Sequence, residues 1–284
     1  MKLPRLIALA VAVLIALPLA SASAADWPTR SVKILVGFSP GGSADQFGRL
    51  IAEQLSTTFG QQFYVENRPG SSGTIAASMT AHATPDGYTL MIGGSGPHIT
   101  SPVINPAVGY DPIKDFTHIA MIGADGFVLI ASPAIGVKNL ANLVKLAHAQ
   151  KAPITFSSPG PGSLGELMVL QFARKAGKVA ALGVTSSERN PVFTDIPTFK
   201  EQGYPEVHGD TWFWLTGPKN LPPDIVEKLN REVRRILKTP KLREYFQQHA
   251  TLAMDVDAAG LNKFLIGEVN YWGALAKSTG LSVQ

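Results

Sequence analysis

Cysteine is absent from all 284 residues. Its absence excludes disulfides, thiolate nucleophiles and every thiolate-ligated metal centre. Histidine is scarce as well. His82, His98, His118, His148, His208 and His249 show no spacing that would place two rings on one helical face around a metal. No metal and no cofactor is therefore expected. There is no Gly-x-x-x-x-Gly-Lys-Ser/Thr phosphate loop, and Ser95 lies in Gly-Gly-Ser-Gly-Pro rather than in the Gly-x-Ser-x-Gly elbow that exposes a nucleophile. Basic runs and interleaved aromatic ladders are missing too, which argues against a nucleic-acid partner.

Long apolar runs are confined to residues 6–19. That stretch follows the basic Lys2 and Arg5 and precedes the small-x-small site Ala22-Ser23-Ala24, the pattern of a secretory leader. At about 14 residues it falls short of the roughly 20 that a spanning helix needs. A retained membrane anchor is the alternative. The expected mature chain is periplasmic, begins near Ala24/Ala25 and is soluble. Losing Lys2 and Arg5 lowers the formal charge from +4 to about +2.

The remaining residues alternate between strand and helix patterns. Val32-Lys33-Ile34-Leu35-Val36-Gly37-Phe38 reads as a buried strand, and Phe47, Leu50, Ile51 and Leu55 share one helical face after it. Strands at 63–66 and 88–92 flank a helix at 74–82, which implies crossover units and a mostly parallel sheet. The proline-punctuated stretch after Gly96 reads as irregular. A long strand at 116–130 is the candidate crossing between two lobes. Beyond it come a helix at 139–150, a strand at 154–157, a helix at 164–176, a strand at 179–184 and a return strand at 212–215. The tail is helical, with Ile225, Leu229, Val233 and Ile236 on one stripe, and Phe264, Leu265, Val269, Trp272 and Leu275 in a last helix.

Glycine placement carries the functional signal. Ser39-Pro40-Gly41-Gly42-Ser43, Gly93-Gly94-Ser95-Gly96 and Ser157-Ser158-Pro159-Gly160-Pro161-Gly162-Ser163 follow strands, and Arg68-Pro69-Gly70-Ser71-Ser72-Gly73 precedes the second helix. The carboxyl ends of strands line the ligand crevice in open α/β sheets, and a glycine there lets the main chain approach a ligand. Ser43-x-x-Gln46 and Ser163-x-x-Glu166 both fit the capping box, so each marks a helix start with amides available to an anion. Each serine can equally be a plain helix cap. Asp45 falls in the first turn of its helix, where it would repel an anion unless it takes a ligand ammonium or faces away. Only Arg49 and Arg68 are basic nearby, which suits a carboxylate held by amides and hydroxyls better than a phosphate. Charge-assisted hydrogen bonds contribute about 1.5–3 kcal/mol each, and micromolar affinity requires about 8 kcal/mol. Gly160-x-Gly162-x-x-Gly165 also matches a dinucleotide fingerprint, although Pro161 is unusual there and no acid ends the next strand. A nucleotide-dependent α/β enzyme is the rival reading.

Several segments resemble the receptors of tripartite tricarboxylate transporters, the Bug proteins. They are Trp27-Pro28 with 36–45, Val65-Glu66-Asn67-Arg68-Pro69-Gly70, Pro85-Asp86-Gly87-Tyr88-Thr89-Leu90, Tyr110-Asp111-Pro112, Asp115-Phe116, 182–189, Asp195-Ile196-Pro197-Thr198 and Trp272. The resemblance implies a two-lobed periplasmic binding fold of type II-like architecture. Lobe 1 would hold 25–127 and 212–284, and lobe 2 would hold 128–211. The implied cargo is a small carboxylate (a dicarboxylate, acidic amino acid or aromatic acid), and the implied partners are two integral-membrane subunits. The receptor itself is expected to be a monomer. The family's binding loops map onto Ser39, Pro40, Gly41, Gly42 and Ser43, onto Gly94, Ser95 and Gly96, and onto Ser157, Ser158, Gly160, Gly162 and Ser163, with Asp45 a further candidate contact from its place in the first helical turn. Family members carry roughly forty further residues where Lys175-Ala176-Gly177-Lys178 here joins helix to strand, so lobe 2 is expected to be shortened. Trp214 stands where they have glycine. The same residues would also suit a carboxylate sensor, or a degenerate receptor that no longer binds.

Overall fold

The computed structural model describes residues 27–129, 131, 133–149, 183–185, 197–205, 207, 209–249 and 251–279. Its main sheet has six strands: β1 Val32–Val36, β2 Phe63–Asn67, β3 Thr89–Gly94, β4 Phe116–Gly126, β7 Asp210–Pro218 and β8 Thr251–Ala253. They lie in the order β2-β1-β3-β7-β4-β8. β1 pairs in parallel with β2 and β3, whereas β7 runs antiparallel between β3 and β4, and β8 antiparallel to β4. Four of the six strands therefore run in one direction, as crossover connections demand. β5 Val128–Leu129 and β6 Gly183–Val184 pair separately, just past the end of β4.

Helices cover both faces, and the strand sequences show why. In β1, Val32, Ile34 and Val36 are buried against one layer, while Leu35 is buried against the other. β7 does the same with Phe213 and Leu215 on one face and Trp212 and Trp214 on the opposite face. Strands buried on both sides read as continuous apolar runs rather than as alternation. The first face packs on α1 Ser43–Phe59, α5 Pro223–Leu237 and α6 Pro240–Gln248. The second packs on α2 Thr74–Ala81, α3 Ser101–Ile104 and α7 Ala258–Thr279. The expected stripe Ile225, Leu229, Val233 and Ile236 is the buried side of α5.

The stretch after Gly96 corrects the irregular reading. It forms a π-turn at Gly96–Thr100, then α3, then a 3-10 turn at Pro106–Val108. Proline sits in the first turn of each, where it has no amide to lose, so it starts these turns rather than breaking them. α4 Leu140–Ala149 belongs to a separate cluster with Phe199 and Val207. The expected strand at 154–157 and helix at 164–176 lie outside the described residues. Among the described residues, no helix is long and apolar enough to cross a membrane.

Candidate ligand-binding site

Because β1, β2, β3 and β4 share a direction, their carboxyl ends meet on one edge of the sheet. A cleft of about 380 Å³ opens there. Residues 37–39 after β1 form one wall, 69–73 after β2 a second, and Ser95 with Gly96 after β3 a third, while Phe127 and Thr211 complete the lining. Every residue in that lining is uncharged.

The loops touch one another closely. A Cβ on Gly37 would lie 2.6 Å from the Cα of Gly73, and one on Gly96 would lie 2.8 Å from the carbonyl oxygen of Ser72. Glycine at these two positions allows loop-to-loop contact, a different use from approach to a ligand. Ser95 is buried, and its hydroxyl accepts from the Trp212 amide at 2.9 Å and donates to the Asp210 carbonyl at 3.3 Å. Its side chain thereby ties the end of β3 to the start of β7. Gly94 ends β3 opposite Phe213.

The start of α1 differs from the capping-box expectation. Gly42, not Ser43, is the N-cap, and no side chain caps it. The Gln46 side-chain amide instead donates to the Gly41 carbonyl at 2.8 Å. Ser43 is already the first helical residue, where its hydroxyl cannot reach back to the amides that a capping serine serves. Asp45 stands outside the cleft lining and is 3% exposed. It accepts from the Gly41 amide at 2.9 Å, from the Arg49 guanidinium at 2.9 and 3.0 Å and from Asn67 at 2.9 Å. Asn67 in turn donates to the Phe38 carbonyl at 3.1 Å. Burial on its own would raise the Asp45 carboxyl, but hydrogen bonds from Arg49, Gly41 and Asn67, with the Arg49 charge, outweigh it and hold the group at about 2. Arg68 is committed to Glu66 at 2.6 Å. Both nearby arginines thus serve the scaffold.

Behind the third wall lies an aromatic cluster. The His98 ring is 5.2 Å from Trp214 and 5.7 Å from His118, and both histidines are buried. Burial drives His98 well below its ordinary value, with His118 adding to the effect; neither ring nitrogen has a well-formed hydrogen bond, although the Gly94 backbone weakly favours the charged ring. Burial likewise lowers His118 to about 4, opposed by the hydrogen bond that its Nε2 donates to the Pro112 carbonyl at 3.0 Å. Both rings are neutral packing elements at pH 7, and His98 does not line the cleft. Trp214 is fully buried and would clash with any Cβ on Gly93, 2.7 Å from its Nε1.

Of the expected residues, Ser39, Ser95 and Gly96 line the cleft; Pro40, Gly41, Gly42 and Ser43 form the neighbouring turn and helix start, outside the lining. Ser157, Ser158, Gly160, Gly162 and Ser163 lie outside the described residues. Sequence reasoning misses Phe38, Phe127 and Thr211, which it places in strands or at their ends, and it marks the 68–73 loop without making it a contact. Among the described residues no cluster of acids and histidines could hold a metal.

A sequence profile described as "Tripartite tricarboxylate transporter family receptor" matches residues 47–178 and 164–281. The chain belongs to that family. Its members are periplasmic solute-binding receptors, not enzymes. The protein BugT of Bordetella pertussis is 26% identical to this receptor over 93% of the chain and 94% of the relative. That alignment runs over 307 positions, more than the 284 residues here, so BugT carries residues this receptor lacks. The profile's two segments overlap at 164–178. Among solved structures, R. palustris Rpa4515 with adipate superposes with a TM-score of 0.81 at 28% identity, over 90% of this chain and 99% of the other. MatC from Rhodopseudomonas palustris with bound malate gives 0.71 at 28% identity, covering 88% and 99%.

Proposed function

We propose that this receptor captures a small carboxylate in the periplasm and surrenders it unchanged to two integral-membrane subunits of a secondary transporter. The observation that carries the reading is the uncharged cleft at the carboxyl edge of the sheet, walled by three glycine- and serine-rich loops. A monoanionic group suits such a wall, since amides and hydroxyls supply charge-assisted hydrogen bonds without the desolvation cost of a buried arginine. The adipate and malate held by two relatives point to the same ligand class. Lobe 1 is 25–127 with 212–284, and lobe 2, shortened at Gly177, is 128–211; the chain crosses where β4 and β7 run side by side. Ser39, Ser95 and Gly96 contact the ligand from the cleft wall, residues 40–43, 94 and 157–163 complete the site around it, the leader is cleaved near Ala24/Ala25, and the receptor works as a monomer.

The test is a thermal-shift and calorimetric screen of the mature protein against acetate, succinate, malate, adipate, glutamate and benzoate, with ATP and NAD as controls. Stabilisation by at least one acid is expected, because a ligand at a hundred times its Kd adds about 2.7 kcal/mol to folding. No shift with any of the six acids would overturn the proposal, and a shift with a nucleotide instead would favour the rival enzyme reading.

A further inference from the structure

The turn Gly70-Ser71-Ser72-Gly73 holds four consecutive residues at positive φ: 137°, 46°, 53° and 88°. For the glycines that conformation is ordinary, but for the two serines it is strained, and strain of this kind collects at functional sites. Both serines line the cleft. The turn is also locked in place, with Gly73 against Gly37, and the Ser72 carbonyl where a Cβ on Gly96 would sit. Serine is usually favoured in a turn because it bonds its own backbone. Neither hydroxyl does so here, and neither has a hydrogen-bond partner among the described residues. Two positions that favour glycine for backbone reasons therefore carry hydroxyls that the fold does not use.

Resting on the receptor reading above, we propose that Ser71 and Ser72 donate hydroxyl hydrogen bonds to the bound acid, making this turn a ligand-contacting wall of the cleft. The left-handed turn puts both serines in the cleft wall, and the tight contacts with the neighbouring loops hold that turn in place.

The experiment compares Ser71→Ala, Ser72→Ala, Ser71→Gly and Ser72→Gly with the parent, reading calorimetric Kd for whichever acid of the six binds the parent tightest, and Tm without ligand. The expected result is about a tenfold loss of affinity for both the alanine and the glycine variant of at least one serine. The glycine variants should keep or raise the Tm, since glycine suits the backbone there. Alanine variants that bind like the parent overturn the inference even where glycine weakens binding, because backbone stiffness rather than the hydroxyl would then be responsible. A parent that binds an acid while all four variants match it sinks this inference alone. A parent that binds none of the six sinks the receptor reading with it.

Discussion

Replacing Asp45 with Asn should weaken folding in a way that depends on pH. The carboxylate receives four hydrogen bonds, two of them from one guanidinium, in a site that is 3% exposed. Its value falls from 3.8 to about 2 on folding, which at about 1.4 kcal/mol per unit corresponds to about 2 kcal/mol of stability. Because the folded-state value is depressed, that contribution is complete above pH 4 and disappears as pH falls towards 2. Asparagine retains an acceptor for Gly41 but removes the charge that Arg49 answers. The loss at pH 7 should thus be about 1–2 kcal/mol, or roughly 2–6 °C in Tm for a chain of this size. The assay is urea denaturation of parent and variant at intervals between pH 2 and pH 7. The two stability curves should converge as pH drops from 4 to 2. Curves that stay parallel across that window would show that the Asp45 charge does not hold the loop.

Ser95→Ala should cost about 1–3 kcal/mol, since it strands the buried Trp212 amide, and hydrogen exchange at Trp212 should quicken; unchanged exchange would refute the tie between β3 and β7. His118, lowered by burial to about 4, should remain neutral in an NMR titration until pH approaches that value. Folding should accordingly lose about 3 kcal/mol from this ring as pH falls from 6.5 through 4, because the unfolded chain takes up the proton first; a ring that protonates near 6.5 would contradict its burial.

The elements of the main sheet were legible because their signal is local. An apolar run such as 32–36 followed by the spacing of Phe47, Ile51 and Leu55 announces a strand and its crossover helix wherever they end up. Proline misleads in the stretch after Gly96. It reads there as a breaker, whereas proline in a first turn is neutral and the burial of His98 and Ile99 decides the rest. The site was legible in outline only. Glycine marks loops that border the cleft, but what each glycine does depends on which backbone lies across from it, and no sequence spacing reports that Gly37 meets Gly73 or Gly96 meets Ser72. The capping-box pattern at Ser43 failed for a similar reason. Asp45 gains more from Gly41, Arg49 and Asn67 together than Ser43 could return as a cap, and Asn67 comes from a different strand.

On the proposed carboxylate reading, that competition would let an uncharged cleft hold an anion. Arg49 is paired with Asp45 and Arg68 with Glu66 beside the loops, so the attraction within these two pairs fixes the main chain rather than a ligand. A loop already held by Asp45 and Asn67 loses little further freedom when an acid arrives, and binding retains more of the energy of each hydrogen bond. An arginine aimed into the cleft would grip more strongly, yet it would also have to be desolvated with the ligand and would slow the release that delivery to a transporter requires. Freeing Arg49 through Asp45→Asn should therefore raise nonspecific anion binding while lowering the affinity for the chosen acid, since the loop would lose its shape as the cleft gained a charge. Calorimetric titrations of parent and variant with sulfate and with that acid read both effects, and a variant that binds the acid more tightly than the parent would mean that loop shape matters less than charge.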